Sequence, residues 1–141
     1  MEVRAAVPAD AEAVAALAGQ LGYETAGADV EARLEALAAD DTAAVLVAVD
    51  GGSVIGWIHV HDSLLLQAAP FAEVGGLVVD GDRRGDAVGE RLLRAAEAWA
   101  SERGHREVRV RSNVVRRRAH GFYERLGYRV HKSSLTFHRE L

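Results

Sequence analysis

One stretch of the chain has the residue types and spacing for ligand chemistry: Leu77-Val78-Val79-Asp80-Gly81-Asp82-Arg83-Arg84-Gly85-Asp86-Ala87-Val88-Gly89-Glu90. An apolar β-branched run ends, a turn rich in Gly and Arg follows, and a helical pattern begins. The first amide N–H groups of a helix have no intrahelical partner. Together with the helix dipole they favour an anion such as a pyrophosphate. Small residues at Gly85, Ala87 and Gly89 let the backbone approach such a ligand, and Arg83 and Arg84 add positive charge. A P-loop is excluded, because no Gly-Lys-Ser/Thr triplet follows. A dinucleotide fingerprint fails on context, since no parallel βαβ unit begins here. A solvated strand-to-helix turn is the plain alternative.

Other polar residues form smaller patterns. His59 and His61 are one residue apart, so on a strand they share a face. They either line a ligand cleft or lie on a solvated face. With His120 they hint at a metal site, but no acidic or cysteine partner stands at ligand spacing, so no metal is expected. Asn113, Arg116, His120 and Tyr123 share one face if their helix reaches back that far.

The elements that must position these groups follow from periodicity. Glu2 to Ala5 reads as an edge strand, and Pro8 and Asp10 mark a helix start. Val14, Leu17, Ala18 and Leu21 repeat at helical spacing up to Gly22. Asp29 to Ala39 gives a second helix, with Val30, Leu34 and Leu37 on one face. Tyr23 falls between these helices. Ala44 to Val49 and Val54 to His61 read as strands joined by the hairpin turn Asp50-Gly51-Gly52. Ala72 to Val79 reads as a third long strand. Gly85 to Arg103 is predicted as a long helix, with Val88, Leu92, Leu93, Ala96 and Trp99 as its stripe. Glu107 to Arg111 alternates as a strand, Val115 to Leu126 is predicted as a helix, and Tyr128 to Val130 and Leu135 to His138 as a final strand pair. The order βααβββαβαββ describes an α+β domain around one sheet, not a doubly wound fold.

Bulk properties bound the function. A chain of 141 residues suits a single domain, 1–141. The absence of cysteine excludes disulfides, a thiolate nucleophile and cysteine-ligated metals, and suits a reducing compartment. A net charge of −4 speaks against bulk attraction to nucleic acid, despite the cluster Arg109, Arg111, Arg116, Arg117 and Arg118. No apolar run approaches the length of a membrane span, and Met1 to Asp10 lacks a signal-peptide pattern. A cytoplasmic location is the default.

At two blocks the sequence resembles the GCN5-related N-acetyltransferase (GNAT) family. Arg84-Gly85-Asp86-Ala87-Val88-Gly89 matches the family's Gln/Arg-x-x-Gly-x-Gly/Ala acyl-CoA motif, with Ala87 in place of its internal glycine. Ala119-His120-Gly121-Phe122-Tyr123-Glu124-Arg125-Leu126-Gly127-Tyr128 matches the family's Ala-x-x-Phe-Tyr-x-x-x-Gly-Phe/Tyr block. The order of elements agrees over nearly the whole chain.

The resemblance implies a central mixed, mostly antiparallel sheet flanked by about four helices, and an enzyme that moves acetyl from acetyl-CoA to a primary amine of a small molecule or protein by direct attack. Acetyl-CoA would lie between two splayed strands, Glu73 to Val79 and Glu107 to Arg111. Backbone of Leu77, Val78 and Val79 would pair with pantetheine and the acetyl carbonyl. Amides from Arg84, Gly85, Asp86, Ala87, Val88, Gly89 and Glu90 would hold the pyrophosphate. Asn113 would bind pantetheine, and Arg116 the CoA phosphates. Tyr123 matches the family's general acid, Glu73 stands where the family often places a glutamate base, and Tyr23, His59 and His61 would contact the acceptor. A homodimer is a further expectation, for which the apolar run Leu64-Leu65-Leu66 leaves room. Asp86 and Ala87 keep a second reading open, a non-catalytic acyl-CoA sensor of the same fold; an RNA-binding domain using the arginine run is a third.

Overall fold

Apolar alternation and glycine turns give five strands, β1 (Glu2–Ala5), β2 (Ala43–Asp50), β3 (Ser53–Ser63), β4 (Phe71–Val79) and β5 (Val108–Val110), in a single sheet of order β1-β2-β3-β4-β5. The computed structural model describes every residue except Asn113. The chain divides into two compact units, Met1–Arg111 and Ser112–Leu141. The β2–β3 hairpin turns at Gly51 (φ 57°) and Gly52 (φ 79°), both in the left-handed region that a tight primed turn demands. All neighbouring strands are antiparallel except the β4–β5 pair, which is parallel.

Three helices cover the sheet of the first unit: α1 (Ala11–Gly19), α2 (Gly27–Ala38) and α3 (Val88–Glu102). Their apolar faces fill two cores. Val14, Ala15, Val30 and Leu34 pack with Val47 of β2, against which Trp57 is partly buried. On the β3 positions that alternate with Trp57, α3 lies close. A Cβ on Gly56 would stand 3.0 Å from Leu92 Cδ1 and from the Val78 carbonyl. Leu92, Leu93 and Ala96 are fully buried, and each large side chain so buried contributes about 1.5–3 kcal/mol before entropy is counted. Asp10, capping the chain's entry into α1, accepts two hydrogen bonds from Arg4 at 2.8 and 2.9 Å, which hold its carboxyl below its ordinary pKa.

β4 changes character halfway along. Val74 pairs with Val60 and Gly76 with His59, so Gly75 is a bulge residue with no β3 partner. The parallel pairing with β5 covers only Ala72, Glu73 and Val74. Beyond the bulge, β4 runs to Val79 without β5 at its side.

Three expectations are corrected. The long helix begins at Val88, not Gly85, because Gly85 (φ 95°) and Ala87 (φ 60°) take left-handed conformations that no helix contains. In the second unit, α4 spans Arg117–Arg125, not Val115 to Leu126. Its N-cap Arg116 is not helical (φ −89°, ψ 67°), so the shared face contains His120 and Tyr123 but not Arg116. The segments Tyr128 to Val130 and Leu135 to His138 are not strands; residues 128–141 carry no regular secondary structure. Val130, Leu135 and Phe137 are exposed, so the local alternation found no strand to pair with.

Candidate active site

The open half of β4 offers backbone N–H and C=O groups along one edge, which β5 does not use. Two glycines keep this stretch thin. A Cβ on Gly75 would meet His59 Nδ1 at 3.0 Å, and one on Gly76 would meet the Trp57 ring at 2.8 Å. The His59 and Trp57 rings therefore press close against the β4 backbone. Val78 is buried beneath α3, while Leu77 and Val79 are half-buried.

The turn after β4 is a braced, exposed loop. Asp80 accepts a hydrogen bond from the Asp82 amide at 3.1 Å and caps a 3-10 turn over Gly81–Arg83. Gln20 Oε1 accepts from the Gly81 amide at 2.9 Å, tying the loop to the end of α1. Arg84, Gly85, Asp86 and Ala87 are exposed. The first backbone bond of α3 runs from the Arg91 amide to the Ala87 carbonyl, so the Val88, Gly89 and Glu90 amides have no intrahelical acceptor. Val88 itself is buried and anchors the turn.

Asp86, a carboxylate in a loop suited to anions, has a local explanation. Arg83 Nε donates to Asp86 Oδ2 at 2.9 Å, and Arg83 Nη2 donates to Asp50 Oδ2 at 2.6 Å. The Arg83 guanidinium holds the Asp50 carboxyl below its ordinary range. Arg83 is thus committed to two carboxylates, and Arg84 has no ion pair among the described residues.

Around the bulge lies a polar cluster contributed by β3, β4 and the residue that follows β5. His61 and Glu73 are cross-strand partners, with His61 Nε2 3.8 Å from Glu73 Oε2. Arg111 Nε donates to the other carboxylate oxygen, Oε1, at 2.5 Å. The rings of His59 and His61 are 5.5 Å apart. Burial, helped by the charge of His61, pushes the His59 pKa down and keeps that ring neutral. His59 Nε2 is buried with no hydrogen-bond partner among the described residues, the kind of vacancy a ligand atom can fill.

In the second unit, burial raises the Tyr123 pKa, opposed by the charge of Arg116, so its phenol stays protonated at neutral pH. Its ring stands edge-on to Phe122 and Tyr128, with centroids 5.2 and 6.0 Å away. A neutral phenol can donate to a departing thiolate.

The structure therefore brings Glu73, His59 and His61 together within the first unit. It strings Leu77, Val78, Val79 and residues 84–90 along the neighbouring edge and loop. Tyr23 is exposed between α1 and α2. Asn113 lies outside the described residues. No group of three His, Cys, Asp or Glu able to hold a metal occurs among the described residues. Sequence reading missed Asp50 and the ion-pairing role of Arg111. Each partner is more than 30 positions away, at separations of 33 and 38 residues, and no local pattern announces them.

Comparison with known proteins shows the family and the fold. The profile of the Acetyltransferase (GNAT) family matches residues 12–128. The chain is 31% identical over 131 residues to an aminoglycoside N(6')-acetyltransferase type 1 of Stenotrophomonas maltophilia, covering 89% of this chain and 84% of that one. It is 37% identical over 84 residues to an aminoalkylphosphonate N-acetyltransferase of Salmonella typhimurium, covering 59% of this chain and about half of that relative (54%). Among solved structures, an aminoglycoside N-acetyltransferase in complex with CoA superposes with a TM-score of 0.87 at 18% identity, covering 99% of this chain and 95% of that one, a likeness of fold. The chain belongs to the GNAT family of acetyltransferases, and its chemistry is the transfer of an acetyl group from acetyl-CoA to an amine.

Proposed function

We propose that this chain acetylates the primary amine of a small molecule, which attacks the acetyl-CoA thioester directly. The observation that carries the reading is the open β4 edge running straight into a loop of exposed amides. On this reading Leu77, Val78 and Val79 hold pantetheine and the acetyl carbonyl through their backbone. Amides of Arg84, Gly85, Asp86, Ala87, Val88, Gly89 and Glu90 take the pyrophosphate, Asn113 the pantetheine and Arg116 the CoA phosphates. Glu73 is the carboxylate that draws in the ammonium and promotes loss of its proton, because a protonated amine cannot attack. Tyr123 protonates the departing thiolate. Tyr23, His59 and His61 face the acceptor; the unsatisfied His59 Nε2 supports this for the histidine pair. No metal takes part.

The activities named for the two relatives, on aminoglycosides and aminoalkylphosphonates, supply the first acceptors to try. The profile match spans both compact units, which supports one GNAT domain over 1–141. Exposed Leu64 and Leu66 suit a homodimer contact. No described helix is long and apolar enough to cross a membrane, and the cysteine-free sequence fits the cytoplasm. The net negative charge supports the absence of a nucleic-acid partner.

The test is Tyr123→Phe, assayed by thiol release over an amine panel. Turnover should fall by roughly 10²–10⁴ while acetyl-CoA affinity stays unchanged. Unaltered turnover would remove Tyr123 from the chemistry. A wild-type chain that binds acetyl-CoA and turns over no amine would be a sensor.

A further inference from the structure

We infer that His61 Nε2 is the atom that receives the proton of the attacking ammonium, with Glu73 as the counter-charge that makes the transfer favourable. This rests on the acetyltransferase reading and goes beyond it by naming where the proton ends.

The argument begins with the other ring nitrogen. His61 Nδ1 lies 3.0 Å from the backbone oxygen of Asp62. A carbonyl only accepts, so Nδ1 is the protonated nitrogen. In the neutral ring, Nε2 then carries the lone pair. That lone pair faces Glu73 Oε2 across 3.8 Å. Two acceptors facing each other at this range repel, and a donor between them relieves the repulsion. A primary ammonium fits that requirement, with one N–H for Oε2 and another for Nε2.

Arg111 leaves one carboxylate oxygen for the ligand. Its Nε donates to Oε1 at 2.5 Å, so Oε2 is the oxygen that faces Nε2. Imidazole is intrinsically the stronger base of the two groups, so Nε2 is the better proton acceptor. The transfer balances: the ammonium gives one proton to Nε2, leaving a neutral amine and an imidazolium paired with Glu73. The amine lone pair then forms the C–N bond as the C–S bond breaks and the electron pair leaves with the CoA thiolate; the second proton of the amide nitrogen ends on that thiolate, giving the free thiol.

The groups around His61 support this assignment. His59 is held neutral by burial and would be disfavoured further once His61 is charged. Asp40, beyond α2, acts electrostatically on His59. The Asp62 carboxylate is engaged by Arg103 and by His105 Nε2 at 2.6 Å, which fixes the strand end whose carbonyl orients the His61 ring. The Glu73 side chain is only 12% exposed and that of His61 32%, so water screens their interaction incompletely.

Histidine-selective NMR of the full chain tests the proposal. The neutral His61 ring should be protonated on Nδ1, with Nε2 showing the chemical shift of an unprotonated ring nitrogen. A neutral ring protonated on Nε2 overturns it. A kinetic arm uses tobramycin as acceptor. There His61→Gln should lower kcat by roughly 10–100-fold and abolish the acidic limb of the pH profile, with acetyl-CoA affinity retained; unchanged kcat overturns the proposal. If the wild type does not acetylate tobramycin, the acceptor choice fails, and the NMR arm alone decides where the proton goes.

Discussion

Arg83 Nε lies 2.9 Å from Asp86 Oδ2, and the same guanidinium reaches Asp50 Oδ2 at 2.6 Å. One cation thus neutralises a carboxylate inside the exposed turn after β4 and ties that turn to the end of β2. Arg83→Met keeps the stem and removes the charge, leaving both carboxylates unbalanced beside the proposed pyrophosphate site. Acetyl-CoA affinity should fall by roughly 5–10-fold, about 1 kcal/mol. Adding Asp86→Asn should restore part of it. Calorimetry on the single and double variants checks both effects.

Ala87 is the one non-glycine with positive φ among the described residues, at 60°. A left-handed alanine costs roughly 1–2 kcal/mol, of which a glycine returns part as lost chain entropy. Ala87→Gly should therefore stabilise the fold by about 0.5–1 kcal/mol in urea denaturation. The loop keeps its conformation with alanine in place because Val88 is buried on one side and Arg83 ties down Asp86 on the other.

Asp62 is a pH-sensitive link in the scaffold. Hydrogen bonding from Arg103, then from His105, lowers its pKa from 3.8 to about 2. Its carboxylate is favoured in the folded state, so the stabilisation is present above pH 4 and is lost as pH falls from about 4 through about 2. Its side chain is 25% exposed, so solvent screening reduces the contribution to roughly 1–2 kcal/mol. Urea midpoints measured at about pH 5 and about pH 2 should differ for the wild type, and Asp62→Asn should flatten that difference.

Local chemistry made much of this molecule readable from its residues. Gly51 and Gly52 announced the β2–β3 hairpin, and β-branched runs announced β2, β3 and β4. The Leu77-to-Glu90 stretch announced a strand, turn and helix. Local chemistry also set the limit. Positive φ at Gly85 and Ala87 delays α3 until Val88, and helical spacing alone does not show it. The alternation of Val130, Leu135 and Phe137 has strand character, yet a strand also needs an edge to pair with, which no local pattern supplies. Of the candidate site, the parity of His59 and His61 is legible locally and Glu73 comes from the family resemblance, whereas Arg111 on Glu73 and Asp50 on Arg83 are long-range pairs that no local pattern announces.

The most direct test of the central claim is calorimetric titration of the full chain with acetyl-CoA, with CoA as the control. The open β4 edge and the amide loop predict saturable binding of both, at roughly micromolar affinity. No binding up to about millimolar ligand would contradict the account, because the fold would then lack the co-substrate its chemistry requires.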